Sequence, residues 1–166
     1  MRPTYQRLCP VAIAFFLVPG CGDKHLDKPL PKTSERIKVE LPWRDGGTIP
    51  RRYTCDGAQT KPAVRVSGTA GAPAASAIVM TDPDAPGGTF VHWTQWGART
   101  GRNSFGKTGY SGPCPPKGDR PHRYVITVYA LPRPLRLPAG ASPGEVVAAV
   151  RKAALASGSS TGTYGR

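Results

Sequence analysis

The segment at residues 123–131, RYVITVYAL, has the strongest strand pattern in the chain and decides its fold class. Its β-branched and aromatic residues favour extended backbone, and Pro121 and Pro132 bound it on both sides. Like the continuous apolar run 76–81, for which we expect both faces to be covered, this segment belongs at the centre of a sheet. The segment therefore predicts a central strand of a sheet.

Four further segments have strand patterns, and one has a helix pattern. The strand segments are residues 37–41, which alternate strictly, 64–66, the apolar run 76–81, and the aromatic, β-branched run 90–96. The helix is predicted to begin with Ser142 as N-cap and Pro143 at the first position, and to continue to about Leu155. The Gly/Ser/Thr-rich tail, residues 156–166, is expected to lie across the body or to be mobile.

Length and composition indicate one mainly-β domain. The chain has 166 residues, the size of a single domain, and 39% of them are hydrophobic, enough for a core. Its 20 glycines and 19 prolines interrupt nearly every stretch, which excludes a helix bundle or a coiled coil.

The net charge of +13 attracts polyanions and anionic surfaces. However, the basic residues are scattered as singles and pairs, and no zinc-finger, helix-turn-helix or RNA-recognition signature accompanies them. A solvated basic surface is therefore favoured over specific nucleic-acid binding.

The N-terminus has the order of a secretory signal: Arg2 and Arg7, then an apolar run, then Gly20-Cys21. The apolar run is too short for a bilayer span. Gly20-Cys21 resembles a bacterial lipobox, so residues 1–20 are predicted to be a signal peptide, Cys21 a lipidated mature N-terminus and residues 21–36 a tether. The protein is then extracytoplasmic and lipid-anchored. The alternatives are a plain secreted protein or a buried N-terminal strand.

The cysteines agree with an exported protein. Cys9 would leave with the signal and Cys21 would carry lipid, so Cys55 and Cys114 remain in the body. In an oxidising compartment these two could form a disulfide, and two buried free cysteines are the alternative.

Two Pro-rich segments concentrate groups that could bind a ligand. In the first, residues 81–88 (TDPDAPGG), the prolines restrict the backbone around Asp82 and Asp84. In the second, residues 109–118 (GYSGPCPPKG), Gly112 permits close approach of a ligand to the backbone.

Two histidines lie in predicted strands. A lone strand histidine is commonly a core residue, but His92 and His122 together with a Pro-restricted carboxylate favour an anion site. Tyr124 adds a neutral donor. His25 falls in the predicted tether and is set aside.

Several motifs together resemble the phosphatidylethanolamine-binding protein family, in its bacterial branch named for similarity to Raf kinase inhibitor protein. They are DPDAP at 82–86, FVHW at 90–93, GPCPPKG at 112–118, HRY at 122–124, YTCDG at 53–57 and GTYGR at 162–166. The resemblance covers residues 37–166. It departs from that branch at residues 61–66, KPAVRV, where Ser-Pro-Pro-Leu-x-Trp is usual.

The resemblance implies a large central β-sheet packed with a smaller sheet, a few peripheral helices and one pocket. The pocket accepts phosphate-like or carboxylate groups, including phospholipid headgroups, and needs no cofactor. Asp82 would orient a histidine or face a ligand's ammonium group. Carried onto this chain, the pocket residues are Asp82, Ala85, Pro86, His92, Gly112, Pro113, His122 and Tyr124. The basic loop 97–109, with Arg99, Arg102 and Lys107, either extends this anion-attracting surface or is an ordinary solvated loop.

A binding module is favoured, with three alternatives. The first is a regulator of a protein partner, such as a protease inhibitor, for which no inhibitory loop is identified. The second is a hydrolase using Ser111 and His122, although no Gly-x-Ser-x-Gly elbow is present. The third is a two-His, one-carboxylate metal site from Asp82, His92 and His122, which has no local metal motif.

Overall fold

The computed structural model describes Leu26, residues 28–68 and residues 73–166, so the predicted signal peptide 1–20 and Cys21 lie outside the described residues. Six strands form a large mixed sheet in the order β1-β8-β7-β4-β5-β6. Their bounds are β1 Glu35–Arg36, β4 Ala75–Asp82, β5 Phe90–Trp96, β6 Arg99–Thr100, β7 His122–Leu131 and β8 Ala156–Tyr164.

Strand β7 lies in the interior of this sheet, as its apolar pattern predicts. It pairs antiparallel with β4 on one side and with β8 on the other. Tyr129 and Leu131 pack into the core on one face, whereas Ile126 and Val128 pack into clusters on the other. Successive side chains of a strand point to opposite sides, so these four residues show that β7 is covered on both faces.

The smaller sheet and the helix cover these two faces. Strands β2 (Lys38–Glu40) and β3 (Arg65–Ser67) pair antiparallel, and Ile37 and Val39 pack against Val128. Helix α1 (Pro143–Ala153) packs on the opposite face. A one-turn 3₁₀ helix spans Arg51–Tyr53. The fold class is therefore confirmed.

Helix α1 begins as predicted and ends two residues before Leu155. Ser142 Oγ accepts from the Glu145 N–H at 3.3 Å, and the Glu145 carboxylate accepts from the Ser142 N–H at 2.7 Å, which completes a capping box. The buried face of the helix is Val146, Val147 and Val150.

The C-terminal tail differs from the prediction, because most of it is strand β8. The sequence of this strand, ASGSSTGTY, has little apolar content, and its conformation is imposed by pairing with nine residues of β7. Its glycines are required by close packing: a Cβ at Gly162 would lie 2.5 Å from Trp43 Nε1. A low-propensity segment can therefore form a strand where its neighbours leave room only for small residues.

The described part of the predicted tether is docked on the domain. Leu26 and Leu30 pack against the core cluster that includes α1, and β1 pairs parallel with the start of β8. The Tyr129 hydroxyl donates to the Pro31 carbonyl at 3.2 Å. The segment thus runs along the domain from Leu26, whose N–H donates to the Thr89 carbonyl at 3.0 Å, to β1. Among the described residues, no helix has the length and apolar content to cross a membrane.

Candidate functional site

A cavity of about 190 Å³ lies at one end of the large sheet, where β4 ends and both β5 and β7 begin. Strand ends and the loops that follow them supply every lining residue. Those residues are Asp82, Ala85, Pro86, Phe90, His92, Phe105, Cys114, Pro115, Pro116 and His122. We call this cavity the pocket.

A buried carboxylate and a buried imidazole pair in the pocket. Asp82, at the end of β4, and His122, at the start of β7, are each 3% exposed, and Asp82 Oδ2 lies 2.8 Å from His122 Nδ1. The other carboxylate oxygen, Oδ1, accepts the Asp84 N–H at 2.9 Å. Both oxygens of Asp82 are therefore engaged within the protein, and the imidazole is oriented with Nδ1 towards the carboxylate. The remaining nitrogen, Nε2, has Asp119 as its nearest carboxylate, at 3.8 Å, beyond hydrogen-bond distance.

His92 sits on a β-bulge. Met80 of β4 pairs with Trp93 and Thr81 with Val91, so His92 is the extra residue that no residue of β4 opposes. Bulges redirect side chains, and here the redirected ring lines the pocket. Its Nδ1 lies 3.0 Å from the Ser111 carbonyl, which can only accept, so Nδ1 carries the proton. Burial lowers the pKa of His92, which keeps the ring neutral and its Nε2 an acceptor.

Tyr124 lies directly behind the two histidines. Its ring packs edge-on against His92, with centroids 5.2 Å apart, and its side chain is fully buried. Burial raises the pKa of the Tyr124 phenol, and the charge of Asp82 raises it further. The Asp82 carboxylate and the backbone of Cys114 both lie within interaction range of the Tyr124 hydroxyl, with geometry looser than that of a regular hydrogen bond. The Tyr124 hydroxyl is thus a protonated, buried group behind the pocket wall.

The loop that follows β4 is held by a second carboxylate. Asp84 accepts the backbone N–H of Arg123 at 2.9 Å and two guanidinium hydrogen bonds from the same residue, each at 2.8 Å. Arg120 approaches the same carboxylate at 3.4 Å. The hydrogen bonds from the Arg123 side chain hold the pKa of Asp84 well below its usual range, and the two cations add to this effect. Asp84 therefore fastens the loop that forms one pocket wall to the start of β7.

Aromatic rings form another wall. Phe90 and Phe105 pack edge-on with centroids 4.6 Å apart, and both rings lie within 6 Å of His92. Phe105 comes from the basic loop and is half exposed. Ser104 holds it in place, because the Ser104 N–H donates to the Val91 carbonyl at 2.8 Å while Ser104 Oγ accepts the Val91 N–H at 2.9 Å.

The Pro-rich loop 112–116 is fixed to the 3₁₀ segment. Cys55 and Cys114 are joined in a disulfide, with their Cα atoms 5.4 Å apart, and the Cys55 N–H donates to the Pro113 carbonyl at 3.0 Å. The Gly112 N–H donates to Gln59 Oε1 at 3.2 Å. A Cβ at Gly112 would overlap the Tyr53 carbonyl oxygen, so only glycine permits this approach.

Comparison with known proteins agrees with this architecture. The family model described as phosphatidylethanolamine-binding protein matches residues 41–165 of the chain. The chain belongs to the phosphatidylethanolamine-binding protein family.

Relatives of this family are found in archaea and bacteria. A UPF0098 protein of Pyrococcus horikoshii is 32% identical, over 99% of this chain and 92% of its own. LppC of Mycobacterium tuberculosis, which carries the word lipoprotein in its name, is 37% identical over 89% of this chain and 81% of its own length. Two solved structures are each 26% identical to the chain. A homologue from Chlamydia trachomatis has a TM-score of 0.73 and covers 80% of this chain and 99% of its own. YbcL of Escherichia coli has a TM-score of 0.70 and covers 79% of this chain and 99% of its own.

Five of the eight residues that the family resemblance assigns to the pocket line it: Asp82, Ala85, Pro86, His92 and His122. The other three, Gly112, Pro113 and Tyr124, lie behind the lining residues. Sequence reasoning missed five lining residues: Phe90, Phe105, Cys114, Pro115 and Pro116. Phe90 could have been found, because it shares a strand face with His92 two residues later. The quoted GPCPPKG motif contains Cys114, Pro115 and Pro116. Phe105 has no local signal.

The geometry does not support the enzymatic alternatives. The Ser111 hydroxyl accepts from Asn103 Nδ2 at 2.8 Å, not from a histidine, and Asn103 also donates to the Gly109 carbonyl. Among the described residues, no base is therefore paired with the Ser111 hydroxyl. Within the described residues, no three His, Cys, Asp or Glu side chains converge as metal ligands, so the two-His, one-carboxylate hypothesis is not supported either.

The basic loop divides between the two ends of the sheet. Its Phe105 reaches the pocket, but Arg99 lies on β6 beside the end of β5, and Arg102 donates from Nε to the Gly140 carbonyl at 3.0 Å. Lys107 is exposed. As a group, these three cations do not line the pocket.

Proposed function

We propose that this chain is an extracytoplasmic, lipid-anchored binding protein whose pocket holds the phosphoryl group of a small metabolite or of a phospholipid headgroup. The observation that carries the proposal is the buried Asp82–His122 pair at the pocket wall, with Nδ1 and Oδ2 2.8 Å apart. A carboxylate that accepts from one imidazole nitrogen fixes the ring, and when both ring nitrogens carry protons the other nitrogen donates to an anionic oxygen.

The engagement of both Asp82 oxygens supports an orienting role for this residue. Because Oδ1 accepts from the Asp84 N–H and Oδ2 pairs with His122, both oxygens already hold other groups in place, which favours orientation of the imidazole over contact with a ligand's ammonium group. His122 is then the principal anion-binding side chain. His92, neutral and with its proton on Nδ1, presents an acceptor and suits a protonated phosphoryl oxygen.

The size of the pocket limits what it can hold. The cavity volume of 190 Å³ is below the roughly 300–1,000 Å³ of sites for drug-sized ligands. A phosphoryl group with a short substituent therefore fits the pocket, and the acyl chains of a whole lipid would remain outside it.

The position of Leu26 supports a membrane source for that headgroup. The Leu26 N–H bonds to the carbonyl of Thr89, next to the lining residue Phe90. Cys21 precedes Leu26 by five residues, which span at most about 18 Å when fully extended. Lipid attached to Cys21 would thus hold the pocket end of the domain close to the bilayer, in agreement with the name of the relative LppC.

Titration followed by histidine-resolved NMR tests the proposal. Phosphate, phosphoethanolamine and acetate are added in turn to the protein, whose three histidines give separate signals. The expected result is a saturable shift at His92 and His122 with both phosphoryl ligands and a smaller one with acetate. No saturable shift with any of the three anions would overturn the proposal.

Two variants separate the roles in the pocket. His122→Ala is expected to abolish phosphate binding, whereas Asp82→Asn, which keeps an oxygen near His122 Nδ1, is expected to weaken binding without abolishing it. Lys107→Ala, at an exposed residue that does not line the pocket, is the control and should leave phosphate binding unchanged. If Asp82→Asn abolished binding and His122→Ala retained it, the carboxylate and not the imidazole would contact the ligand, and the assigned roles would be wrong.

A further inference from the structure

A second and larger cavity, of about 470 Å³, lies at the opposite end of the large sheet from the pocket. Its lining residues are Arg99, on β6, and five residues that follow β7: Arg133, Pro134, Leu135, Arg136 and Leu137. Strand β7 begins at the pocket with His122 and ends with Leu131, ten residues that span about 30 Å. We call this second cavity the arginine cleft.

The three guanidinium groups of the cleft are electrically uncompensated. Among the described residues, the side chains of Arg99, Arg133 and Arg136 make no salt bridge and no hydrogen bond. By contrast, Arg123 and Arg120 share the Asp84 carboxylate beside the pocket. Three like charges in one concavity repel each other and focus a positive potential, which attracts a ligand of the opposite sign.

The backbone that carries two of these arginines is held in place without a ligand. Residues 132–138 read PRPLRLP, and the prolines at 132, 134 and 138 restrict φ at three points of the segment. Leu135 is buried, and both it and Leu137 pack against the core cluster that includes α1. Arg99 is fixed independently, because it pairs with Trp96 in the β5–β6 ladder. Binding would therefore have to order only the arginine side chains, which lowers its entropic cost.

The chemistry of the cleft selects a multiply charged oxyanion. Guanidinium forks bind phosphate oxygens in a bidentate manner, and three of them exceed the charge of one phosphate monoester. The leucines beside them provide apolar contact for an organic part. We propose that the arginine cleft is a second ligand site, separate from the pocket, for a small organic anion bearing two or more phosphate groups.

The position of the cleft favours a ligand from solution over a lipid of the anchoring membrane. The docked N-terminal segment runs from Thr89 at the pocket end to β1 at the start of β8, which is the cleft end. A membrane near Leu26 would face the pocket and leave the cleft on the far side. Only this last step rests on the proposed lipid anchor, and the site itself does not depend on it.

The test uses arginine Nε–H NMR signals of the protein and tripolyphosphate as the probe. The expected result is a saturable 1:1 shift confined to Arg99, Arg133 and Arg136. The double variant R133Q/R136Q is expected to bind about tenfold more weakly, corresponding to two exposed ion pairs. The matched control R44Q/R65Q removes the same charge at two exposed arginines outside the cleft and should bind within about twofold of the original protein.

Three outcomes overturn the proposal. Equal weakening in R133Q/R136Q and R44Q/R65Q would show diffuse attraction by the net charge. Shifts that do not saturate would have the same meaning. Binding to phosphatidylglycerol vesicles through the three cleft arginines, without saturable tripolyphosphate binding, would make the cleft a membrane contact. Arg99→Gln, from a different segment, repeats the test if the double variant does not fold.

A further variant keeps the cleft and the pocket distinguishable. His122→Ala should leave tripolyphosphate binding at the cleft unchanged while it removes phosphate binding at the pocket. A result that contradicts anion binding in the pocket therefore leaves the proposal for the arginine cleft open to its own test. A result that contradicts binding in the cleft likewise leaves the pocket proposal standing.

Discussion

Replacing both cysteines of the Cys55–Cys114 disulfide by serine should lower the stability of the domain substantially. The disulfide closes a loop between residues 59 positions apart, and the chain-entropy estimate for a loop of that length is about 4 kcal/mol. For a domain of this size the same loss corresponds to a melting temperature lower by roughly 15 °C. The effect arises in the unfolded chain, which gains conformational freedom when the cross-link is removed.

Urea denaturation followed by tryptophan fluorescence measures this loss, since the chain has three tryptophans. The oxidised protein, the same protein with reductant and the Cys55→Ser/Cys114→Ser variant are compared. Reductant should move the midpoint of the original protein towards that of the variant and leave the variant unchanged. That comparison also removes any contribution from Cys9 and Cys21, which all samples share.

The disulfide should also affect ligand binding, because Cys114 lines the pocket. At a temperature where both proteins are folded, the double variant is expected to bind phosphate more weakly, since the loop 112–116 loses its covalent link to the 3₁₀ segment. A stability change below about 1 kcal/mol, or equal midpoints with and without reductant, would refute the reasoning that this bond closes a long loop in the native protein.

Three other predictions follow from single contacts. Gly112→Ala should destabilise the domain by about 1–3 kcal/mol, because the new Cβ overlaps the Tyr53 carbonyl, whereas Gly144→Ala, which has no atom within 4 Å, should change stability by less than about 0.5 kcal/mol in thermal melts. The unfolding free energy should fall below about pH 6.5, the ordinary pKa of histidine, because the native state keeps His92 neutral while the unfolded chain binds a proton. This one group contributes at most about 1.4 kcal/mol per pH unit, and His92→Gln should flatten that part of the urea-midpoint profile; an unchanged slope would show that His92 is already protonated in the native state. Cys21→Ala should move the protein from the detergent phase to the aqueous phase of a Triton X-114 extract, and retention in detergent would place the anchor elsewhere.

The central strands and the helix could be predicted because their signals are local. Strand β7 is apolar on both faces, and helix α1 has its cap, its proline and its apolar stripe within a dozen residues. Strand β8 could not be predicted in this way. Its small polar residues carry no strand signal, and only the presence of β7 beside it, together with the close contacts at Gly158 and Gly162, explains its conformation.

The residues of the site could be predicted better than their arrangement. Family motifs led to Asp82 and His122, but no sequence signal marks the bulge that turns His92 towards the pocket. The bulge results from a register shift between two strands, which depends on the pairing of both. Phe105 reaches the pocket only because Ser104 bonds to the backbone of Val91, a contact between segments thirteen residues apart.

The large positive charge of the chain says little about the pocket. The charged groups around it are largely compensated: Asp82 pairs with His122, and Asp84 with Arg123 and Arg120. Anion binding there would depend on two oriented imidazoles, whose hydrogen bonds are short-range and shielded from salt by burial. The uncompensated charge lies instead at the far end of the sheet, in the arginine cleft, and on the exposed surface. Net charge and local recognition are therefore separate properties in this fold, and the chemistry of the pocket follows from the hydrogen bonds of Asp82, not from the excess of arginine and lysine.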